Sequence, residues 1–141
     1  MPLSKSEREA FLAEPHIAAL SVSAGPDRGP LTVPIWYDYT PGGEAWVLTG
    51  RTSTKAELIR AAGYFSLMVE RVEPSIKYVA VDGPVAREEP GTPEQLRAMA
   101  ERYLAPDKVE GYLQFATADH GDQTVFYLQP EHWLSADLGS I

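Results

Sequence analysis

Apolar and polar side chains alternate with a period of two along residues 31–39. Val33, Ile35, Tyr37 and Tyr39 fall on one face, and Thr32, Pro34, Trp36 and Asp38 on the other, as in a strand with one buried side. Shorter apolar runs predict further strands over 16–23, 45–49, 64–72, 76–86, 123–128 and 132–136. Gly, Pro and Asp mark the turns between several of them, at 25–29, 41–43 and 73–75. Helical signals occur at four places. Ser4 with Glu7 forms a capping box ahead of 5–13, which Pro15 ends. Thr54 with Glu57 has the same spacing at the head of a short helix over 55–62. Thr92-Pro93-Glu94-Gln95 joins an N-cap, a proline at the first helical position and a closing glutamine, and predicts a helix to about 104. Pro106-Asp107 opens another that reaches 114 or 115, followed by a loop over 119–122. Leu96, Met99, Ala100, Tyr103 and Leu104 make a core-facing stripe on the third helix.

The order is helix, three strands, helix, two strands, two helices, two strands. Consecutive strands with tight turns predict antiparallel pairing rather than βαβ units. About seven short strands with three to five short helices predict a mainly β fold, a small barrel bridged or plugged by helices. Length adds one bound: 141 residues are enough for a single domain, 1–141, with a real core. The absence of Cys excludes disulfides, thiolate metal sites and a Cys nucleophile, and is compatible with a cytoplasmic location. The polar N-terminus is no signal peptide and no apolar run has the length of a membrane span, so no membrane is expected as a partner. A net charge of −8 argues against nucleic acid. The charge is unevenly spread. Residues 51–77 carry five bases and three acids, a sum of +2, which leaves −10 for the remainder. A locally basic segment in an acidic chain suits a small anion.

That segment begins with Thr49-Gly50-Arg51-Thr52-Ser53-Thr54-Lys55. Hydroxyls and two cations lie where the strand over 45–49 hands over to a helix N-terminus, and there the helix dipole and its orphan amides favour a phosphate. The other reading of the same residues is an ordinary helix cap, and the two are compatible.

Three segments, in this order and spacing, resemble the pyridoxamine 5′-phosphate oxidase-like split β-barrel superfamily, and within it the deazaflavin-dependent oxidoreductases that use coenzyme F420. Residues 31–39 resemble the strand that carries P-x-W/Y beside the cofactor ring. Residues 48–56 resemble the T-x(3)-S-x-K phosphate motif. Residues 77–85 resemble the strand V-x-G-x-A/V with its leading basic residue. The resemblance implies a homodimer with the cofactor in a groove between two barrels. It implies that Ser53 and Lys55 hold the phosphate, with Thr49 as a further donor, Arg51 as an additional contact and Lys77 as the second cation. It implies that Val33, Pro34, Ile35 and Trp36 line the ring. The Arg-Lys pair of the flavin oxidases is absent, since Thr54 precedes Lys55, and so is their Arg- and His-rich C-terminal segment. The resemblance therefore favours F420 over FMN.

Reduced F420 delivers a hydride, so the cofactor carries the chemistry and no catalytic residue is assigned. A proton could come from solvent, Tyr78, Tyr112, His120 or His132. The spacing of His16, His120 and His132 predicts no metal site, and no G-x-S-x-G elbow marks a hydrolase. Three functions are open: an F420-dependent reductase of a conjugated organic acceptor, an FMN-dependent oxidase, and a flavin, F420 or haem-type binding protein without turnover. Trp46 and Tyr37 are expected in the core or at a dimer interface, and the substrate pocket is expected to draw on loops and on 134–141.

Overall fold

The computed structural model describes residues 1–119 and 122–139. His120, one of the candidate proton donors, and the last two residues of the chain lie outside them. Four helices and eight strands follow in the order α1 (Lys5–Ala13), β1 (Ala18–Val22), β2 (Leu31–Ile35), β3 (Tyr37–Tyr39), β4 (Ala45–Gly50), α2 (Thr54–Ala62), β5 (Tyr64–Arg71), β6 (Ile76–Pro90), α3 (Pro93–Tyr103), α4 (Pro106–Asp119), β7 (Gln123–Leu128) and β8 (His132–Gly139). All pairings are antiparallel. The sheet order is β2-β1-β5-β6-β7-β4-β3, with β8 beside the first half of β6. The two end strands of this order, β2 and β3, are neighbours in sequence and are joined only by Trp36. The sheet therefore rolls round until its edges meet at that residue, which makes the split barrel.

The alternation over 31–39 is correct by face: Ile35, Tyr37 and Tyr39 are buried and Pro34 is exposed. It is not one strand, however. Trp36 breaks it because β2 pairs with β1 while β3 pairs with β4, and one strand cannot serve both edges of a curled sheet. Pro34 is tolerated because β2 is an edge strand and needs only one set of ladder donors. Strand β6 runs four residues beyond the predicted end. Its charged tail hides it: Arg87 bonds Glu44 and Glu89, and Glu88 bonds Arg60 and Thr124, while the backbone continues along β7 after a register shift between Val85 and Arg87. Gly83 is required just before that bend, because an added Cβ would overlap the Gln129 carbonyl of the crossing chain. Strand β8 likewise runs to Gly139 and α4 to Asp119.

The core fills the barrel. Leu20, Tyr37, Val47, Phe65, Leu67, Val81 and Phe126 are almost wholly enclosed, and α1 and α2 close the barrel with Phe11, Leu12 and Ile59. Each such side chain contributes about 1.5–3 kcal/mol on leaving water. Tyr37 belongs to this core and donates its hydroxyl proton to the carbonyls of Leu12 (2.6 Å) and Glu14 (3.0 Å), tying α1 to β3. Trp46 instead lies on the partly exposed face of β4, in register with Asp38 and Tyr127. No helix among the described residues is long and apolar enough to cross a membrane.

Candidate functional site

The turn from β4 into α2 is set by its own backbone. The Ser53 amide donates to the Gly50 carbonyl at 3.0 Å, and the Arg51 amide to the Asp122 carbonyl at 3.0 Å. Ser53 has extended φ/ψ (−68°, 158°) and is the N-cap of α2, so the helix starts at Thr54, and the expected Thr54 cap moves back one residue. The Ser53 Oγ accepts the Ala56 amide at 3.2 Å and lies 3.2 Å from the Thr49 Oγ1. Two hydroxyls that share one hydrogen bond leave one hydroxyl proton to donate elsewhere. The Glu57 amide is taken by the Ser53 carbonyl. The amides of Thr54 and Lys55, the first two of the helix, have no backbone acceptor among the described residues, as expected of the first turn. The Lys55 side chain is half-buried, and its ammonium has neither an ion pair nor a hydrogen bond among the described residues.

Lys55 and Thr49 stand at one part of a cavity of about 410 Å³ that is also lined by Pro34, Ile35 and Trp36. The rest of its wall comes from Ile17, from Leu48, from Leu96 and Met99 of α3, from Tyr112 of α4, and from Gln123 at the start of β7. This volume is within the range of small-molecule sites, about 300–1,000 Å³. Trp36 is held flat. Its ring stacks on Tyr103 at 4.8 Å and 13°, and Tyr112 leans against it at 5.3 Å and 37°. Tyr103 is itself fixed. Its hydroxyl lies 2.8 Å from the His16 carbonyl and 2.9 Å from the Tyr37 carbonyl, and accepts the Tyr37 amide at 3.1 Å. Both ends of α3 are tied down, by Gln95 donating to the Tyr127 hydroxyl (2.9 Å) and by Arg102 donating to the Ala13 and Glu14 carbonyls (3.0 Å each).

Of the residues proposed from sequence, five line this cavity: Pro34, Ile35, Trp36, Thr49 and Lys55. Ser53 stands behind them as the helix cap. Val33 lines the adjoining hollow that shares Ile17 and Pro34. Arg51 lies on the far side of the turn, exposed, with its guanidinium 3.6 Å from Asp122. Lys77 is on the inward face of β6 near α1, with its ammonium 5.6 Å from the centre of the Phe11 ring. Within one chain it does not join Lys55. Of the described candidate proton donors, Tyr112 lines the cavity, whereas Tyr78 and His132 are elsewhere. Tyr78 lies on the outer face of β6, in register with Glu70 and Ala136. His132 sits with Tyr64 and Asp82 on the outer face of the sheet, its Nδ1 2.9 Å from both the Tyr64 hydroxyl and Asp82 Oδ1. The bond to Asp82 pushes the Tyr64 phenol up to about 12. Leu96 and Met99 are buried, as their stripe required, and they also form cavity wall. Gln123 was not foreseen: it becomes part of the site because β7 pairs it with Gly50.

No protein-family model matches the chain, and no curated protein matches it. Solved structures do. An F420 reductase superposes with a TM-score of 0.68 at 20% identity, over 89% of this chain and 94% of its own. A FAD-binding protein from Mesorhizobium loti gives 0.63 at 18%, over 100% and 97%. A Listeria innocua protein assigned as a pyridoxamine 5′-phosphate oxidase gives 0.61 at 12%, over 93% and 96%. The chain shares the split-barrel fold of these F420 reductase-like and pyridoxamine 5′-phosphate oxidase-like proteins.

Proposed function

We propose that this split-barrel chain is an F420-dependent oxidoreductase that passes a hydride from the reduced deazaflavin to a small conjugated acceptor, and that it works as a homodimer. The observation that carries this reading is the half-buried ammonium of Lys55, which has no partner among the described residues, beside the first two amides of α2, at the edge of a cavity whose other wall includes Trp36. Such a cation without a carboxylate is suited to an anionic group, and a phosphate takes charge-assisted bonds from an ammonium, a hydroxyl and amides together. Lys55, Thr49 and the N-terminus of α2 would hold the phosphate. Pro34, Ile35 and Trp36 would hold the ring, with Pro34 presenting no N–H to compete.

When bound, the deazaflavin supplies a two-electron hydride. The chain's own part is to orient the ring against Trp36, to exclude water with Leu96 and Met99, and to leave room for an acceptor. Dimerisation is supported by a row of cross-strand partners on the outer face of the sheet. Pro34, Ala19, Met68, Ala80 and Leu134 lie side by side across five strands, with Leu134 65% exposed, and Pro34 also belongs to the cavity. An apolar strip that begins at the site fits a second copy closing the groove.

The test is a parallel titration with F420 and FMN, followed by quenching of Trp36 fluorescence in a protein whose Trp46 and Trp133 have been replaced by Phe. Micromolar F420 binding with much weaker FMN binding, and acceptor-dependent oxidation of reduced F420, are expected. Preference for FMN would move the protein to flavin chemistry. Tight F420 binding without turnover on any acceptor would make it a carrier.

A further inference from the structure

On the outer face of the sheet, Tyr64, Asp82 and His132 converge on one point. The Tyr64 Oη lies 2.5 Å from Asp82 Oδ1, and the His132 Nδ1 lies 2.9 Å from both. Each side chain comes from a different strand: β5, β6 and the start of β8. Asp82 and His132 are direct cross-strand partners, and the Glu131 amide donates to the Asp82 carbonyl at 2.9 Å, which fixes the chain as it enters β8. Three contacts need three protons, yet these atoms carry at most two between them, one on the phenol and one on the imidazole. The surroundings are negative. Glu131 is a second carboxylate close enough to act on the Tyr64 phenol. Neither Asp82 nor Glu131 has a Lys or Arg partner among the described residues, and His132 offsets a charge only when it is protonated. Three donor atoms at one point in a negative field suit a cation better than they suit one another.

We infer that Tyr64, Asp82 and His132 are ligands of a divalent transition-metal ion, held by Tyr64 Oη, Asp82 Oδ1 and His132 Nδ1. An ion with bonds of about 2.0–2.1 Å to nitrogen and oxygen sets ligands that meet at a right angle about 2.9 Å apart. Both contacts of Nδ1 have that length, and the third need only lengthen slightly. The donor types choose the class of metal. An imidazole suits zinc, copper or nickel, whereas calcium and magnesium take oxygen ligands. Charge chooses the valence, since a phenolate and a carboxylate together neutralise a divalent ion. On binding, the phenol proton leaves to solvent and the imidazole keeps its proton on Nε2. The side chains of His132 and Asp82 are 71% and 38% exposed, so water completes the coordination. A hollow of about 470 Å³ beside the triad, lined by Tyr64, Asp82, Ser21, Ser66 and Arg28 among others, leaves room for a small ligand on those open positions. No sequence spacing marks the set, because Asp82 is 18 positions from Tyr64 and 50 from His132. The hollow shares no lining residue with the Lys55 cavity, so the inference does not rest on the cofactor reading.

The test strips the full chain of metal with a chelator, removes the chelator, and titrates Zn²⁺ by calorimetry and by ultraviolet difference spectroscopy. Zinc has no absorption band of its own, so a tyrosinate band belongs to the protein. One zinc per chain is expected, with that band and the release of about one proton. Excess Mg²⁺ should not compete. His132→Gln and Asp82→Asn should each weaken binding by at least about 100-fold, because even the outer partners of a metal ligand are worth roughly 10–100-fold. Tyr64→Phe keeps the ring and should lose both the band and the proton release. His16→Gln, remote from the triad, should bind as the wild type does. Circular dichroism in chelator shows that each variant is folded, and if one is not, the wild-type tyrosinate band still decides. No saturable zinc binding, unchanged affinity in folded His132→Gln and Asp82→Asn, or binding by the wild type without the tyrosinate band would each overturn the assignment.

Discussion

At the scale of single residues, the site divides into side chains already satisfied and side chains still free to act. Ser53 is largely occupied: its oxygen caps α2 and leans on Thr49. Lys55 is not, and it is the position where a substitution reads binding most directly. Lys55→Ala should weaken cofactor binding by about 1.5–3 kcal/mol, the worth of a hydrogen bond to a charged group. Thermal stability should hardly change, because the ammonium makes no ion pair or hydrogen bond among the described residues. Isothermal titration with F420 checks the first point and a melting curve the second. An unchanged affinity would remove Lys55 as the anchor. The sequence singled out Lys55 and Thr49 from the strand-to-helix handover and Trp36 from the family resemblance, and the structure brings the three to one cavity. Lys77 shows where that stops. Its motif gives a cation at the head of a strand, yet strand parity turns the side chain inward onto Phe11. Only pairing in three dimensions decides such a direction.

At the scale of elements, caps and alternation predicted most helices and strands, because both are local physics. The capping boxes of α1 and α3 formed as read, with Ser4 accepting from Glu7 and Thr92 from Gln95. The break at Trp36 and the long tail of β6 were not legible, since each depends on which strand lies alongside. The tail of β6 makes a clasp that can be tested by pH. Glu88 takes two bonds from Arg60, at 2.9 and 2.7 Å, and one from Thr124 at 2.7 Å, joining α2, β6 and β7. The Arg60 guanidinium and then the Thr124 hydroxyl hold its carboxyl below the usual range, against the opposing effect of burial. A carboxylate with a depressed folded pKa stabilises the fold above its unfolded pKa. That contribution is lost as pH falls through the lower folded value. Wild type should therefore melt above Glu88→Gln at pH 7, with the gap closing as pH drops below about 4. Differential scanning calorimetry across that range decides it. A gap that does not change with pH would assign the clasp to shape rather than charge.

At the scale of the whole molecule, the question is what meets the outer face of the sheet. The chain carries −8 net, so two copies repel at long range, and a neutral, apolar contact is suited to hold them together. The row Ala19, Met68, Ala80 and Leu134 supplies such a contact, and it starts beside Pro34 in the cavity. Met68 lies near the middle of the row, on β5 between β1 and β6. A glutamate there would place two like charges into a two-fold interface while leaving the barrel interior untouched, because Met68 points away from its buried neighbours Leu67 and Val69. Sedimentation equilibrium should then give a dimer for the wild type and a monomer for Met68→Glu with an unchanged circular dichroism spectrum. The groove is shared in this reading, so the monomer should also bind F420 at least tenfold more weakly, about 1.4 kcal/mol. A monomer that binds as tightly as the dimer would place the whole cofactor site within one barrel, and leave the apolar row to some other partner.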